Sequence, residues 1–524
     1  MNKIENIILE FFEKQSEATV SEIIKDTGIA RRTLQKYLKI LAQKEYIEAL
    51  GKGRGRYYRR VYHNQEERAN LAVLKNEQLI GKLSYGNGYY TFSYDKHYRG
   101  VELVGLLRDS DNHSATLYPI FENLLPEYER RRRLLNEVSD IASILPLLVN
   151  VQGDFKFIPY HMLFKYKATK EIRPLWHLVK HHILGENSYP NLLDFKLNID
   201  DTILEERSKK EHSSLSGYQH KIDIHIDFER GIISEATKEA DYLLKPLNRT
   251  MTNYFFRDEN NQKHYFPLLA LNEHLFMSFA KNELQLNTPQ TAILLTKDRE
   301  FHYIVKRYDR YKNFAYGQYD MAQLLNIKSE KKYNTDTLTL MEYFAKKVKD
   351  ETSRQNMLIF QIYSSLIGHS DFHAKNMSIL DIGKENYILA PLYDVISVSV
   401  YNGKVNDLGL PLSKSIRKFS KYNLDDFLMI ANALKIKKSK AKQIIKNTIE
   451  IFLDKFPTYI DKTRAFEKKY NLEIQKGRVK KKLFSDSLET VYQRKLIQLK
   501  KQGVLQELGL IQKYGGLLKA QKKR

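Results

Sequence analysis

Three side chains between residues 369 and 376 have the types and the spacing that phosphoryl transfer requires. The segment IGHSDFHAKNMSIL contains His369, then Asp371, and then Asn376 five residues after the aspartate. An aspartate in this position can accept the proton of an attacking hydroxyl, and an asparagine slightly further along can bind Mg²⁺. The spacing H-x-D-x-x-x-x-N is that of a protein-kinase catalytic loop. Because so short a pattern also occurs in ordinary surface loops, it needs support from the rest of the chain.

A further acidic residue follows the loop at a distance that suits a metal site. The apolar run from Met377 to Leu380 predicts a strand, and NYILAPLYDV predicts a second strand that ends at Asp394. An acid at the end of that hairpin would lie beside the loop, where it can hold metal ions that bridge phosphates. Asn376 and Asp394 are therefore the predicted Mg²⁺ ligands.

The upstream segments occur in the order that this chemistry needs. Lys245 ends the apolar strand DYLLKP, where its ammonium can contact the α- and β-phosphates of ATP. The helical segment NEHLFMSFAKNELQ carries Glu273, which can orient that lysine through an ion pair. REFHYIVKRYDR predicts a strand that enters a hinge at residues 305–308. A glycine-rich G-x-G-x-x-G loop is missing, and SSLSGYQHKIDIHI supplies a single glycine, Gly217, before a strand.

Several of these segments together resemble one protein family. SLSGYQHK, YLLKP, NEHLFMSFA, VKRYDR, SDFHAKNMSIL and LAPLYDV are similar to the HipA family of bacterial toxin–antitoxin serine/threonine kinases. FENLLPEYERRR resembles the N-terminal region of that family, so the resemblance spans roughly residues 70–460. It implies an α+β fold, namely a two-lobed, HipA-like (lipid-kinase-like) protein kinase with a helical C-lobe.

The resemblance also implies roles for individual residues. Asp371 would be the catalytic base, with ATP and Mg²⁺ as cofactors, and the SLSG loop would be autophosphorylated on Ser214 or Ser216. Phosphoserine there would repel the phosphates of ATP and inhibit the protein, whereas the alternative is that both serines are ordinary turn hydroxyls. The predicted ATP-binding residues are Gly217, Lys221, Lys245, Glu273, Val305, Lys306, Tyr308, His373 and Lys375, and the backbone of residues 305–308 would hold the adenine.

The first 65 residues have a pattern of their own. IENIILEFFEK has helical spacing, a second helix begins near Thr19 and stops at Gly28, and a third follows the short turn DTG. Two strand-like runs flank the basic tip GKGRGR. The pattern predicts a winged helix-turn-helix that binds DNA, and the alternative is a helical interaction domain with a solvated basic face. The predicted DNA-binding residues are Arg31, Arg32, Thr33, Gln35, Lys36, Lys52, Arg54 and Arg56.

The charge of the chain is concentrated in two segments. The 524 residues have a net charge of +23, of which residues 31–60 contribute ten basic and two acidic side chains. Residues 476–524 contribute fourteen basic and three acidic side chains. Such clusters indicate anionic partners. The second segment is alternatively a solvated basic helix, in which Leu483, Phe484, Leu488, Val491 and Leu496 are available to pack.

Composition excludes several other classes of protein. The chain has no cysteine, which excludes disulfides, thiolate zinc sites and a catalytic thiol. It has no run of 18 apolar residues, and its first 15 residues carry charges throughout, unlike a signal peptide. We therefore expect a cytoplasmic protein with no membrane contact.

Five domains are predicted. They are a winged helix-turn-helix at 1–65, a HipA-like N-terminal subdomain with a helical linker at 70–200, a kinase N-lobe with its ATP-binding loop and hinge at 201–310, a helical C-lobe at 311–475 and a basic helical extension at 476–524.

Two functions stay open at this level. One is a serine/threonine protein kinase with a fused DNA-binding domain for operon autoregulation or antitoxin-like control. The alternative is a non-catalytic transcription regulator whose kinase fold senses a ligand. Expected partners are ATP, a protein substrate such as an aminoacyl-tRNA synthetase or another translation factor, operator DNA, an antitoxin and a second copy of the chain.

Overall fold

The described residues form two compact units, one that ends at residue 167 and one that runs from residue 172 to residue 516. The computed structural model describes residues 3–15, 17–43, 46–51, 56–60, 69–86, 88–110, 112–136, 138, 140–148, 151–167, 172–205, 219–236, 240–257, 263–297, 299–383, 385–401, 406–476 and 480–516. Within these ranges no helix has the length and apolar character that a bilayer crossing needs.

Three helices and a three-stranded sheet begin the first unit. Thr19 and Glu22 form a capping box, in which the Thr19 hydroxyl accepts from the Glu22 N–H at 3.4 Å and the Glu22 carboxylate accepts from the Thr19 N–H at 2.7 Å. Gly28 ends the helix at φ 68°, a left-handed conformation that glycine adopts without strain. The elements are α1 (Lys3–Lys14), β1 (Glu17–Thr19), α2 (Val20–Thr27), α3 (Arg31–Gln43), β2 (Ile47–Leu50) and β3 (Tyr57–Arg60), with sheet order β1-β3-β2. The three helices and the two later strands follow the order that the sequence predicted.

A five-stranded antiparallel sheet follows in the same unit. Its order is β7-β6-β5-β4-β8, and Phe155 and Phe157 of its last strand turn to one face, where both rings pack on Phe121. Part of the region predicted as a helical linker is therefore a strand, because these alternating aromatic residues bury one face of the sheet. The elements are β4 (Ala69–Lys75), β5 (Gln78–Gly86), β6 (Tyr89–Tyr94), β7 (Asn112–Ser114), α4 (Pro119–Glu122), α5 (Tyr128–Leu135) and β8 (Phe155–Pro159).

The second unit contains a six-stranded mixed sheet, five of whose strands lie within the range predicted for the kinase N-lobe. Its order is β15-β16-β12-β10-β11-β9, and alternate residues such as Ile222, Ile224 and Ile304 form its buried core. The elements are α6 (Trp176–Leu184), β9 (Lys196–Asn198), α7 (Asp201–Leu204), β10 (Ile222–Asp227), β11 (Ile232–Glu235), β12 (Tyr242–Lys245), β13 (Thr252–Arg257), β14 (Lys263–Tyr265), α8 (Leu269–Asn282), β15 (Thr291–Leu295) and β16 (Phe301–Lys306).

The rest of the second unit is largely helical, as predicted for the C-lobe. Long helices α11 and α13 pack on each other, and the small sheet β19-β20-β21 carries the strand after the catalytic loop. The elements are β17 (Arg310–Tyr311), β18 (Phe314–Ala315), β19 (Gly317–Asp320), α9 (Met321–Leu324), α10 (Thr337–Lys347), α11 (Glu351–Ile367), β20 (Ser378–Asp381), β21 (Tyr387–Leu389), α12 (Leu424–Ala433), α13 (Lys438–Tyr470), β22 (Ile474–Lys476), β23 (Lys480–Lys482), α14 (Phe484–Lys501), α15 (Val504–Glu507) and α16 (Ile511–Tyr514).

The basic C-terminal segment is joined to this helical core. Helix α14 buries Phe484, Leu488, Val491 and Leu496, the apolar residues that its sequence offered for packing, and it lies against α13. Lys495 is also buried, in an ion pair with Asp407. At least this helix is therefore part of the folded C-lobe rather than a solvated basic helix.

Candidate active site

The catalytic-loop sequence starts at the end of a buried helix. Gly368 ends α11 at φ 68°, and a Cβ atom there would lie 1.9 Å from the Ser399 hydroxyl oxygen, so only glycine fits. His369 follows, completely buried, with its ring near those of Phe360 and Phe372. Burial lowers the pKa of His369 to about 4, so the imidazole is neutral at pH 7 and anchors the loop by packing.

The predicted lysine–glutamate pair exists. Lys245 ends β12, and its Nζ lies 2.8 Å from Oε1 and 3.1 Å from Oε2 of Glu273 on α8. Both side chains are about 95% buried, and the same ammonium is bonded to the carboxylate of Asp394. The Asp394 side chain keeps 37% of its surface exposed. The cluster therefore has a closed side at Glu273 and an open side at Asp394.

The charges in this cluster stabilise one another. Burial alone would lower the pKa of Lys245, but the carboxylates of Asp394 and Glu273 raise it above its ordinary value. Burial opposes ionisation of Asp394, yet the ammonium groups of Lys245 and Lys221 hold its pKa below the usual range. Burial raises the pKa of Glu273 despite the neighbouring lysine. A cationic lysine and an ionised Asp394 thus coexist at pH 7.

Asp371 and Asn376 both lie in the loop between α11 and β20. Asp371 is exposed, and its Oδ1 accepts a hydrogen bond from the hydroxyl of Tyr333 at 2.5 Å. Asn376 is 95% buried, and its Oδ1 accepts no hydrogen bond from the described part of the chain. A buried amide oxygen without a donor is costly, which fits a ligand oxygen for a cation. Asn376 and the open carboxylate of Asp394 therefore suit Mg²⁺, which prefers oxygen ligands.

Asp394 reaches the cluster by a different route from the one predicted. The second strand ends at Leu389 rather than at Asp394, because Pro391 has no N–H to continue the ladder and Leu392 donates its N–H to the Asn287 carbonyl at 2.8 Å. Asp394 itself has φ 53°. Among the described residues, no group of three or more His, Asp or Glu side chains forms a closed metal site.

The first two residues of the predicted hinge already use backbone groups in hydrogen bonds within the protein. Val305 lies inside the sheet, paired with Leu243 and Thr291, so its backbone bonds belong to the two neighbouring strands. The N–H of Lys306 donates to the Gln290 carbonyl at 2.9 Å, and its Nζ contacts the His182 carbonyl at 2.6 Å. Backbone hydrogen bonds to the adenine of ATP would therefore have to come from hinge residues after Lys306.

A buried polar network joins the hinge to the catalytic loop. Gln318 donates hydrogen bonds to the hydroxyls of Tyr308 at 2.7 Å and Ser378 at 3.2 Å. The Tyr393 hydroxyl lies 2.6 Å from the Ser378 hydroxyl and donates to the Lys375 carbonyl at 2.6 Å. The rings of Tyr308 and Tyr393 are stacked with centroids 6.0 Å apart. Gln318, Ser378 and Tyr393 were not predicted as site residues from the sequence, although Tyr393 is the residue directly before the predicted metal ligand.

The other predicted ATP-site residues divide into two groups. Lys221, His373 and Lys375 are all buried, and Lys221 and His373 both contribute positive charge that lowers the pKa of Asp394. Ser214, Ser216 and Gly217 lie outside the described residues.

Most of the predicted DNA-binding residues that the structure describes are exposed. Arg31, Arg32, Gln35 and Lys36 are exposed on α3, opposite the buried Leu34, and Thr33 is half-buried. Arg56, directly before β3, is exposed, whereas Lys52 and Arg54 lie outside the described residues.

Comparison with solved structures supports a kinase-like fold. The chain is similar to a chain of the Shewanella oneidensis MR-1 toxin–antitoxin complex of HipA, HipB and operator DNA, with a TM-score of 0.53. The sequences are 16% identical, and the match covers 81% of this chain and 97% of the other. At this identity the likeness concerns the fold alone, and it fits the two-lobed kinase-like architecture of the second unit.

Two family models identify the family. The HipA N-terminal domain matches residues 71–151, and the HipA-like C-terminal domain matches residues 213–456. Together the two models cover more than half of the chain. The protein therefore belongs to the HipA family and is kinase-like. The second range contains the Lys245–Glu273–Asp394 cluster and the catalytic loop, whereas neither model includes residues 1–70.

Three curated relatives carry kinase descriptions. A Haemophilus influenzae protein described as "Putative kinase" is 28% identical over 246 residues, which are 44% of this chain and 66% of that protein. Two Sinorhizobium fredii proteins, "Putative kinase Y4dM" and "Putative kinase Y4mE", are 24% and 26% identical over 28% and 39% of this chain. The matches span 36% and 46% of those two proteins, so the chain covers less than two thirds of each relative.

Proposed function

We propose that this protein is an ATP-dependent protein kinase that transfers the γ-phosphate of ATP to a serine or threonine hydroxyl. The observation that carries the proposal is the buried ammonium of Lys245, bonded to Glu273 and to the half-exposed Asp394. Burying two carboxylates and one ammonium costs desolvation free energy. Such clusters are therefore expected at functional sites, where the reaction uses the charges.

Each remaining residue then has one task. Asp371 accepts the proton of the attacking hydroxyl, which its exposed carboxylate can reach. Asn376 and Asp394 would hold Mg²⁺, which when bound neutralises negative charge on the phosphates. Lys245, kept in its charged form by its two carboxylates, orients the α- and β-phosphates. The Gln318–Ser378–Tyr393 network holds the hinge and the catalytic loop at a fixed spacing.

Regulation is proposed at two places. Autophosphorylation of Ser214 or Ser216 would introduce negative charge where ATP phosphates are expected to bind, and would inhibit the protein. The exposed face of Arg31, Arg32, Gln35 and Lys36 would bind operator DNA, with arginine and glutamine reaching base edges and lysine neutralising phosphate. The Shewanella complex holds HipA, HipB and operator DNA. By analogy we propose an antitoxin-like partner or antitoxin-like control by the fused N-terminal module.

Phosphate incorporation tests the proposal. Purified full-length chain incubated with radiolabelled Mg-ATP and an added protein substrate, such as casein or a cell extract containing aminoacyl-tRNA synthetases, should incorporate phosphate. Asp371→Ala should reduce incorporation to background, whereas Asp425→Ala, at an exposed aspartate of α12, should not. Equal incorporation by wild type and Asp371→Ala would overturn the assignment of Asp371 as the base. Absence of incorporation by wild type would favour a non-catalytic ligand-sensing regulator.

A further inference from the structure

Tyr333 is attached to the catalytic loop by three separate contacts. Its hydroxyl donates a hydrogen bond to Asp371 Oδ1 at 2.5 Å. Its ring packs edge-on against the imidazole of His373, with centroids 5.0 Å apart and planes at 85°. The carbonyl of the preceding Lys332 accepts the N–H of Ala374 at 3.2 Å. Backbone and side chain therefore both hold the phenol oxygen on the carboxylate that we assign as the base.

This is the contact that a phosphoacceptor must make before transfer. A general base has to lie within hydrogen-bond reach of the hydroxyl oxygen whose proton it accepts, no further than about 3.2 Å. The Tyr333 hydroxyl, 2.5 Å from Asp371 Oδ1, is well within that limit. A tethered group also reacts at a high effective concentration, on the order of 10⁵ M or more when well oriented. Tethering can therefore make a phenol an acceptor in a site that otherwise takes serine or threonine.

The surroundings of Tyr333 can accept a phosphate. Its side chain is 41% exposed, so the hydroxyl end is not enclosed by the core. The ammonium of Lys332 lies 5.9 Å from the centroid of the Tyr333 ring, which provides positive charge close by. Phosphorylation would add about −1.5 to −2 charge next to the Asp371 carboxylate, and the two groups would repel each other.

We propose that Tyr333 is an intramolecular phosphoacceptor of this site, an inference that rests on the proposed kinase function. The phenol oxygen forms a bond to the γ-phosphorus of ATP, and the bond from that phosphorus to the β–γ bridging oxygen breaks. ADP leaves, and the phenolic proton passes to the Asp371 carboxylate. Repulsion then displaces phosphotyrosine from Asp371 and opens the base to a protein substrate, so this modification activates the site, whereas phosphoserine in the SLSG loop inhibits it.

Phosphosite mapping of the full-length chain tests this directly. After incubation with Mg-ATP, trypsin cleavage following Lys332 and Lys346 releases YNTDTLTLMEYFAK, which contains both Tyr333 and Tyr343. Tyr343 lies on α10 and is an internal control within the same peptide. Fragmentation should place phosphate on Tyr333 and leave Tyr343 unmodified, and the Asp371→Ala chain should show neither.

A mixing experiment tests the intramolecular step. Isotope-labelled Asp371→Ala chain incubated with unlabelled wild type should stay unmodified at Tyr333, and the modified fraction of wild type at fixed time should not change over a hundredfold dilution. Modification of the labelled chain would overturn the intramolecular assignment.

The failure of this inference is distinguishable from failure of the proposed function. Phosphate on a loop serine or on casein, without phosphate on Tyr333, would overturn the tyrosine assignment alone. A second result would also overturn the tyrosine assignment, namely no phosphate on Tyr333 together with faster casein phosphorylation by Tyr333→Phe than by wild type. In that case Tyr333 would only block access of the substrate to Asp371. Absence of phosphate on every residue would overturn both proposals.

Discussion

Charged side chains have opposite environments in two regions of this molecule. In the second unit, Lys245 and Glu273 are almost fully buried, and each is bonded to an opposite charge. In the first unit, Arg31 and Arg32 project from α3 into solvent, with no ion-pair partner among the described residues. Substitution of one buried charge is expected to destabilise its partners and to abolish the function of the whole cluster. Each exposed cation should contribute independently to DNA affinity, and salt should screen that contribution.

Among single substitutions, removing the central cation should give the largest effect. Lys245→Met leaves two carboxylates without their ammonium, so phosphoryl transfer should be lost and the free energy of unfolding should fall by about 3–5 kcal/mol. Urea denaturation followed by the fluorescence of Trp176, the single tryptophan of the chain, reports on this unit.

A double variant separates stability from catalysis. Lys245→Met with Glu273→Gln removes one of the two stranded carboxylates, so much of the lost stability should return while transfer stays absent. An unchanged unfolding midpoint for Lys245→Met alone would show that the cluster does not support the fold.

Acid should destabilise the second unit through its buried histidines. Burial lowers the pKa of His274 to about 3 and those of His302 and His369 to about 4, from about 6.5 in the unfolded chain. Between pH 6.5 and 4 the unfolded state therefore binds more protons, and stability is lost as pH falls through this window. From pH 7 to 5 the loss should be about 2 kcal/mol per histidine, measured by urea denaturation.

One variant isolates a single histidine in that loss. His369→Phe keeps an aromatic ring between Phe360 and Phe372 and removes one titrating group. The acid-induced loss should shrink by the contribution of one histidine, and a variant with the full wild-type pH dependence would contradict the assignment.

A smaller effect is expected from the network that joins hinge and loop. Tyr393→Phe removes the hydroxyl that contacts Ser378 and Lys375, so stability should fall by about 1 kcal/mol and transfer should slow several-fold. Steady-state kinetics should show the change in kcat more than in the KM for ATP. Tyr343→Phe is the matched control, and equal effects of both variants would remove any positioning role for Tyr393.

Sequence patterns located much of this site but not all of it. The Lys245–Glu273 pair and the loop from His369 to Asn376 follow from local patterns, since each residue lies at a defined place on a strand, helix or loop. The end of β21 at Leu389 was predicted wrongly because the apolar run continues through Pro391 although the ladder cannot. An apolar run alone does not reveal where a strand leaves its sheet.

Contacts between distant segments were not predictable. Tyr333 precedes Asp371 by 38 residues, and Gln318 precedes Ser378 by 60. No periodicity links such pairs, because their contact depends on how segments far apart in the chain meet in the folded protein. By contrast, the exposed face of α3 could be predicted, because helical spacing alone places Leu34 inward and Arg31 and Arg32 outward.

The smallest effect is expected on the exposed basic face. Arg32→Ala should leave stability unchanged but reduce the slope of log affinity against log salt by about 1, measured with duplex DNA of mixed sequence. Arg59 is the matched control because it is already paired, 2.5 Å from Glu48 and 3.5 Å from Glu17. Arg59→Ala should change that slope less than Arg32→Ala, and the reverse order would place the DNA contacts elsewhere.

The initial rate of γ-phosphate transfer tests the central claim most directly. Asp371→Asn keeps the size of the side chain and removes only its ability to accept a proton, so the rate should fall by about 10²-fold or more relative to wild type. Asp425→Asn, at an exposed aspartate outside the site, should transfer phosphate at the wild-type rate. Equal rates for wild type and Asp371→Asn would contradict the assignment of this cluster and loop as a phosphotransfer site.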